Sequence, residues 1–322
     1  MKSSPCITNE NTDLVPASSN GARILQFDFP GLHIGAAQYD EGPTGCTVFH
    51  FPNRAACACD LGGGMTGTLM PGDGPVDAIC FGGGSLYGLA AATGVSAELF
   101  RMYDNKVKDI NNIAVVRGAI IYDYTPRPGN TVYPDFRLGR AAMTMARPNL
   151  FPMGKAGAGC SASVGKGFEF NMGEPSGQGG AFRRIGESRI AAFCVVNAMG
   201  AIIDRNGNIA RGHYDRALLR HRHLHDYPDD YFLGLRQDRN GIGNSTLTLI
   251  VINERIELDE MKIIAKQVHC SMARAIQPFH LKDDGDVLYV VSTCSIKQKL
   301  PIEAIGVIAS ELVWDAILES IK

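Results

Sequence analysis

The chain has 322 residues, of which 45% are hydrophobic, so it can bury a substantial core in one large domain or two small ones. Its 31 basic and 33 acidic residues leave a net charge of −2 without a long run of either sign, which argues against nucleic acid or an anionic membrane as a partner. No apolar stretch approaches the length of a bilayer span, and nine cysteines without a C-x-x-C pair are typical of a reducing cytoplasm.

The N-terminal third of the chain is predicted to be mostly β structure. Residues 1–22 are polar and rich in Ser, Asn and Pro, which predicts a flexible arm. Four apolar runs then alternate with turns that contain Pro and Gly, the pattern of a meandering antiparallel sheet. We predict these strands over residues 23–29, 32–38, 44–51 and 54–61.

A strand over residues 76–81, a glycine-rich turn over 82–85 and a helical pattern up to Leu99 raise the possibility of a dinucleotide-binding unit. The spacing does not fit, because Gly88 comes one residue too late for G-x-G-x-x-G and Tyr87 stands where a pyrophosphate needs room. A second glycine-rich loop, which contains Lys166, also lacks the residues of a phosphate-binding loop. Both loops are expected to bring the backbone close to a small substrate or to pack a helix on a sheet.

The middle of the chain carries four histidines that could suggest a metal site, namely His213, His221, His223 and His225. Their spacing matches neither a zinc finger nor H-E-x-x-H, which favours a polar surface connector instead. Residues 226–240 continue this connector toward the next strand. The elements around it are predicted as strands at 114–124, 189–197 and 201–204, a helix at 137–146 and a hairpin turn at 205–208.

The C-terminal part alternates strands with helices. An apolar, β-branched strand runs from Leu247 to Ile252, and a second strand covers residues 286–293. Helical stripes of apolar residues span 258–276 and 301–322. The order of elements therefore predicts an α/β (α+β) fold with two β layers and helices on the outside.

Gly243-Asn244-Ser245-Thr246 places a hydroxyl immediately before this buried strand. Such a tetrapeptide is ordinary turn chemistry unless the bond between Asn244 and Ser245 breaks. The freed α-amine of Ser245 would then titrate at roughly 7.7 to 8.0 and serve as a base for its own hydroxyl.

Dispersed motifs over nearly the whole chain support this interpretation. The sequence resembles the nylon-oligomer (6-aminohexanoate-oligomer) endohydrolases, in the autoproteolytic N-terminal-nucleophile family that includes L-aminopeptidase/D-esterases and β-aminopeptidases. The matching segments are Phe27-Asp28-Phe29-Pro30-Gly31, Glu41-Gly42-Pro43-Thr44-Gly45, Gly157-Ala158-Gly159-Cys160-Ser161-Ala162-Ser163, Ala265-Lys266-Gln267-Val268-His269, Ile276-Gln277-Pro278-Phe279-His280, Ala309-Ser310-Glu311 and Trp314-Asp315-Ala316.

The resemblance implies a four-layer α/β/β/α sandwich of the N-terminal-nucleophile-hydrolase kind, one structural domain in two chains. Cleavage after Asn244 would give an α chain, whose folded part is residues 23–244, and a β chain, residues 245–322. It also implies a tetramer of αβ pairs, and the chemistry needs neither a metal nor an organic cofactor. The sequence departs from the nylon hydrolases at Ser245, where they carry Thr.

Five further residues receive roles from the resemblance. Asp284 and Asp286 would orient Ser245 and stabilise its ammonium form. Lys166 would lower the pKa of the hydroxyl or hold the carboxylates. Asn197 would donate its side-chain amide to the oxyanion, and Tyr122 would line the substrate cleft.

The sequence therefore predicts a self-processing amide hydrolase that acts on linear ω-amino-acid oligomers of the nylon-6 type. An aminopeptidase or β-peptidyl aminopeptidase with the same nucleophile is the first alternative, with short peptides as substrates. A non-hydrolytic dinucleotide-binding protein and a processed but inert scaffold are the others.

Overall fold

The computed structural model describes residues 6–107, 109–167, 172–229 and 243–322, which contain four α-helices and twenty short or long strands. The helices are α1 (Ala90–Met102), α2 (Phe136–Thr144), α3 (Leu258–Ser271) and α4 (Ile302–Glu319). The strands are β1 (Ala17–Ser18), β2 (Arg23–Gln26), β3 (His33–Tyr39), β4 (Thr44–Gly63), β5 (Thr68–Leu69), β6 (Gly74–Gly82), β7 (Val116–Ile120), β8 (Arg147–Pro148), β9 (Leu150–Met153), β10 (Ser163–Val164), β11 (Glu174–Pro175), β12 (Gln178–Ile185), β13 (Ser188–Asn197), β14 (Ala201–Ile203), β15 (Ile209–Arg211), β16 (Tyr214–Asp215), β17 (Arg220–His221), β18 (Ser245–Glu254), β19 (Ile276–Gln277) and β20 (Gly285–Ile296).

One sheet dominates the fold, with the strand order β12-β13-β18-β20-β4-β6-β7-β5 and with β3 also paired to β4. The prediction of two strands over 44–51 and 54–61 was wrong, because β4 is a single strand of 20 residues. The residues around Pro52 fall in a bulge, where the pairing with β6 shifts between His50 and Ala55. A bulge accommodates a proline that cannot donate to the ladder and lets the long strand bend.

Three separate hydrophobic clusters show that the fold has four layers. The central cluster contains Phe49, Phe81, Phe193 and Tyr289, which face one another between two β layers. A second cluster lies between the β13–β18–β20 layer and helices α3 and α4. The third lies between β3, β4 and β6 and helices α1 and α2. Strand β4 contributes to all three clusters, so it joins the two β layers, as strand alternation allows.

Helices α1 and α2 pack so closely that glycine is required at their contact. A Cβ atom on Gly139 would lie 1.9 Å from the carbonyl oxygen of Ala91, and one on Gly94 would lie 2.1 Å from that of Phe136. Asp135 caps α2 by accepting a hydrogen bond from the amide of Leu138. These contacts explain part of the glycine content without any ligand.

Parts of the predicted N-terminal arm and of the predicted histidine-rich connector pack against the domain. Residues 6–22 contact the domain through β1 and through Leu14, which is only 3% exposed. His213 is buried, so the prediction of a surface position was wrong for it, and burial lowers its pKa to about 4. His221 approaches Glu174 at 2.8 Å, and most of the predicted connector over 226–240 lies outside the described residues.

None of the helices in the described ranges is both long and apolar enough to cross a membrane.

Candidate active site

The strand arrangement brings the predicted site residues to one edge of the main sheet. Strand β13 runs antiparallel to β18, so its last residue, Asn197, pairs with Ser245, the first residue of β18. Strand β20 runs parallel to β18, so its first residues lie at the same edge. Residues far apart in sequence therefore meet around Ser245.

Hydrogen bonds of Asn244 and Thr246 hold the peptide bond between Asn244 and Ser245 in place. The amide of Gly285 donates to the carbonyl oxygen of Asn244 at 2.6 Å, and the amide of Asn244 donates to the carbonyl oxygen of Asp283 at 3.3 Å. One residue further on, the amide of Thr246 donates to Oδ1 of Asp286 at 2.7 Å. Asn244 is fully buried and Ser245 is 4% exposed, so this bond lies in the interior at a fixed position.

Lys166 is buried beside this bond and contacts oxygens of Asn244 and of Asn197, the residue that pairs with Ser245. Its Nζ atom donates to Oδ1 of Asn244 at 2.9 Å, to Oδ1 of Asn197 at 3.0 Å and to the Asn197 carbonyl oxygen at 3.2 Å. Burial lowers the pKa of Lys166 to about 7, although the charges of Asp284 and Asp123 oppose this shift. The hydrogen bonds of Lys166 therefore position Asn197 and Asn244, and its interaction with Asp284 is through charge.

Asn197 and Tyr122 lie next to one another on the other side of the site. The Nδ2 atom of Asn197 donates to the carbonyl oxygen of Tyr122 at 2.9 Å, while its Oδ1 atom accepts from the amide of Ser163 at 3.1 Å. A Cβ atom on Gly243 would lie 2.9 Å from Cβ of Tyr122. Tyr122 therefore contacts the residue that precedes Asn244.

Asp284 and Asp286 are both buried, but their hydrogen bonding differs. Asp286 accepts from Thr246 at one oxygen and from Nδ1 of His280 at the other, the latter at 2.9 Å. Asp284 accepts from the amide of Leu281 at Oδ2, whereas its buried Oδ1 has no hydrogen-bond partner among the described residues. Burial, followed by the charge of Asp286, raises the pKa of Asp284 to about 7. Asp284 is thus poised to take up or release a proton near neutral pH.

Two residues of the site had no role in the sequence analysis. His280, at φ 59°, lies behind Asp286 and contacts the ring of His269 edge to face, with 4.3 Å between ring centroids. His269 in turn approaches Asp60 at 2.6 Å. Gly285 supplies the amide that contacts the Asn244 carbonyl. The His280 side chain stood within a matching motif, but sequence carries no signal for a backbone donor such as Gly285.

A cleft of about 620 Å³ opens beside Lys166. Its wall combines apolar side chains, Pro43, Pro126 and Pro175 among them, with the exposed cations Lys155 and Arg216. Such a mixture suits a flexible chain of methylene groups interrupted by amides and ending in a charge.

The alternatives based on phosphate or metal binding receive no support from these positions. The amide of Gly84, in the loop that resembled a dinucleotide motif, donates to the buried carboxylate of Asp123 at 2.9 Å. That carboxylate also pairs with Arg127, so the loop is occupied by side chains of the protein itself. Among the described residues, no group of three His, Cys, Asp or Glu side chains could hold a metal ion.

Comparisons with known proteins show the family to which the chain belongs. The model of peptidase family S58 matches residues 26–321. The 6-aminohexanoate-oligomer endohydrolase of Paenarthrobacter ureafaciens is 44% identical over 326 residues, which cover 98% of this chain and 90% of that protein. The enzyme of the same name from Kocuria sp. shows the same identity and coverage.

Solved structures confirm the predicted fold. A β-aminopeptidase from Burkholderia sp. superposes with a TM-score of 0.64 at 15% identity, covering 94% of this chain and 88% of that one. The L-aminopeptidase D-Ala-esterase/amidase of Ochrobactrum anthropi, described as a variant of the Ntn hydrolase fold, gives a TM-score of 0.59 at 14% identity, covering 90% and 83%.

Proposed function

We propose, from the premise that this chain belongs to peptidase family S58, that it is a self-processing amide hydrolase acting on linear ω-amino-acid oligomers such as those of 6-aminohexanoate. The observation that carries the proposal is the position of the Asn244–Ser245 bond. It is buried, held by Gly285 and Asp286, and adjacent to Lys166 and Asp284.

The first reaction is self-cleavage. The Oγ atom of Ser245 attacks the carbonyl carbon of Asn244, its proton passes by way of Asp284 to the departing amide nitrogen, and an ester forms as the C–N bond breaks. Water then hydrolyses the ester. This step leaves an α chain ending at Asn244 and a β chain of residues 245–322.

The second reaction uses the new α-amine of Ser245. The amine accepts the Oγ proton as Oγ attacks a substrate carbonyl, and the leaving amine of the substrate takes that proton when the amide bond breaks. Water releases the acyl group from Oγ. Asp284 stabilises the ammonium form of the α-amine. Asp286 holds the amide of Thr246 at the start of strand β18, and Lys166 holds Asn197 in place beside Ser245. Asn197 supplies an oxyanion donor. Tyr122 is not in the wall of the cleft beside Lys166, and we propose that it contacts the substrate from its position next to Gly243.

The substrate class follows from the cleft and the relatives. The apolar walls accept methylene chains, and the two relatives at 44% identity are named for 6-aminohexanoate oligomers. Lys155 and Arg216 at the mouth favour a substrate with a free carboxylate. We therefore expect hydrolysis of linear oligomers, with loss of activity in Ser245→Ala.

An exo-acting aminopeptidase is the second candidate, because a carboxylate also lines the cleft. Glu174 could bind a free amine, although it already accepts from the amide of Gly212 at 2.7 Å and approaches His221. Comparing an oligomer whose N-terminus is acetylated with the free oligomer separates the two functions. An endohydrolase cleaves both, and an aminopeptidase cleaves only the free form.

We also propose that αβ pairs associate into a tetramer in the cytoplasm. Large apolar side chains are exposed around the end of α1, including Phe100, Met102, Val107 and Ile110, of which Ile110 is 80% exposed. Exposed apolar patches of this kind are typical of protein interfaces. All nine cysteines lie in the described ranges and are free, which supports a reducing compartment. Light scattering of the purified protein tests the assembly.

A further inference from the structure

The backbone amide of Gly285 lies at the peptide bond between Asn244 and Ser245. It lies 2.6 Å from the carbonyl oxygen of Asn244, the oxygen that becomes negatively charged when Ser245 attacks. A Cβ atom built on Gly285 would lie 2.9 Å from Oγ of Ser245, so the nucleophile is next to the same residue. Donor, nucleophile and carbonyl are therefore together before any reaction begins.

We propose that the backbone N–H of Gly285 is the oxyanion donor for self-cleavage, and that it serves the substrate acyl group in the same way afterwards. This inference rests on the proposed function. When Oγ of Ser245 bonds to the Asn244 carbon, the π electrons of the carbonyl move to its oxygen, and the Gly285 hydrogen bond becomes charge-assisted. Collapse of this intermediate restores the carbonyl and breaks the bond to the Ser245 nitrogen.

The position of this donor is fixed by its neighbours. Gly285 pairs with Gly63 at the end of β4, and the amide of Met65 donates to the carbonyl oxygen of Asp284 at 3.0 Å. A Cβ atom on Gly285 would lie 2.3 Å from the carbonyl oxygen of Met65. Any side chain here would move the segment, and the donor with it, so glycine is required. A preorganised donor needs no rearrangement in the transition state.

Asn197 received the oxyanion role from the resemblance, but its amide is engaged elsewhere in the uncleaved chain. Its Nδ2 atom donates to the carbonyl oxygen of Tyr122 at 2.9 Å, and its Oδ1 atom faces Lys166. Gly285 is the donor that already contacts the reacting carbonyl. In the mature enzyme the substrate carbonyl takes the place of the Asn244 carbonyl, and Asn197 completes the site from the other strand.

A backbone ester at Gly285 tests this role without adding a side chain. Glycolic acid, introduced at position 285 by suppressor tRNA in cell-free translation, replaces the N–H with oxygen. The matched control carries the same replacement at Gly207, whose amide donates to Asp204 at 3.1 Å in an exposed turn. Self-cleavage is followed by intact mass, and folding by circular dichroism of the same samples.

We expect the ester at 285 to slow self-cleavage roughly a hundredfold relative to the ester at 207, the lower end of the effect of losing one oxyanion donor. Equal rates for the two esters would overturn the inference. If the wild type itself does not cut at Asn244–Ser245, the proposed function fails instead.

A second measurement does not depend on the ester folding correctly. In uncleaved Ser245→Ala labelled with ¹⁵N-glycine, the Gly285 amide should exchange slowly with solvent, and in cleaved wild type it should exchange at least tenfold faster because its acceptor has left. Rapid exchange in Ser245→Ala would overturn the inference as well.

Discussion

The raised pKa of Asp284 leads to a stability prediction that depends on pH. Because the folded protein holds the proton of Asp284 up to about pH 7 while the unfolded chain releases it near 3.8, the stability from this group is complete below pH 3.8 and is lost as the pH rises to about 7. Asp284→Asn removes this titration and keeps the shape. We make the substitution in Ser245→Ala, so that every sample is an uncleaved chain.

The magnitude follows from the window between the two pKa values. Each pH unit between the two pKa values removes about 1.4 kcal/mol from the free energy of unfolding. Between pH 5 and pH 8 this loss stops at about pH 7, where the folded protein releases the proton. The interval therefore removes about 3 kcal/mol. Asp284→Asn should therefore gain about 3 kcal/mol over its parent between pH 5 and pH 8.

Urea unfolding at the two pH values measures this difference, with fluorescence of Trp314, the only tryptophan, as the probe. Asp286→Asn is the control. Asp286 accepts hydrogen bonds from Thr246 and His280, so losing a carboxylate oxygen should destabilise the protein at both pH values. If Asp284→Asn shifts stability equally at pH 5 and pH 8, the buried carboxyl does not titrate in this window and the reasoning is refuted.

Two further substitutions test the positioning of the scissile bond, each by the rate of self-cleavage. Lys166→Met keeps the volume of the side chain but removes the hydrogen bonds to Asn197 and Asn244. A hydrogen bond to a charged group contributes ~1.5–3 kcal/mol, so cleavage should slow roughly tenfold to a hundredfold. An unchanged rate would show that Lys166 is only structural. His280→Asn retains a donor near Nδ1 and tolerates the positive φ, so it should cleave within about threefold of wild type, whereas His280→Ala should be roughly tenfold slower. Equal rates for these two variants would exclude a role for the His280–Asp286 contact.

Sequence reasoning located the elements better than their pairing. The apolar run after Ser245 and the run over residues 286–293 predicted β18 and β20, and the helical stripes at the C-terminus predicted α3 and α4, because periodicity reports burial directly. The merging of two predicted strands into β4 was missed, since Pro52 is a turn signal by itself and only the partner strand creates the bulge around it. The burial of His213 was missed for a similar reason, because tertiary contacts decide it.

The candidate site likewise contains residues that the sequence indicated and a contact that it could not indicate. Ser245, Lys166, Asn197 and the two aspartates came from motifs, and the structure brings them together at one sheet edge. Spacing alone would have left Asp284 in an ordinary turn. The contact of Gly285 with Asn244 depends on strands that meet only in the fold, so no local pattern could indicate it.

The central claim is that the chain cuts itself between Asn244 and Ser245 to make its own serine reactive. Intact-mass measurement of freshly purified wild type beside Ser245→Ala tests this claim most directly. We predict two masses for wild type, corresponding to residues 1–244 and 245–322, and one full-length mass for Ser245→Ala. Full-length wild type that hydrolyses oligomers at full rate, or a break at any other bond, would contradict the account.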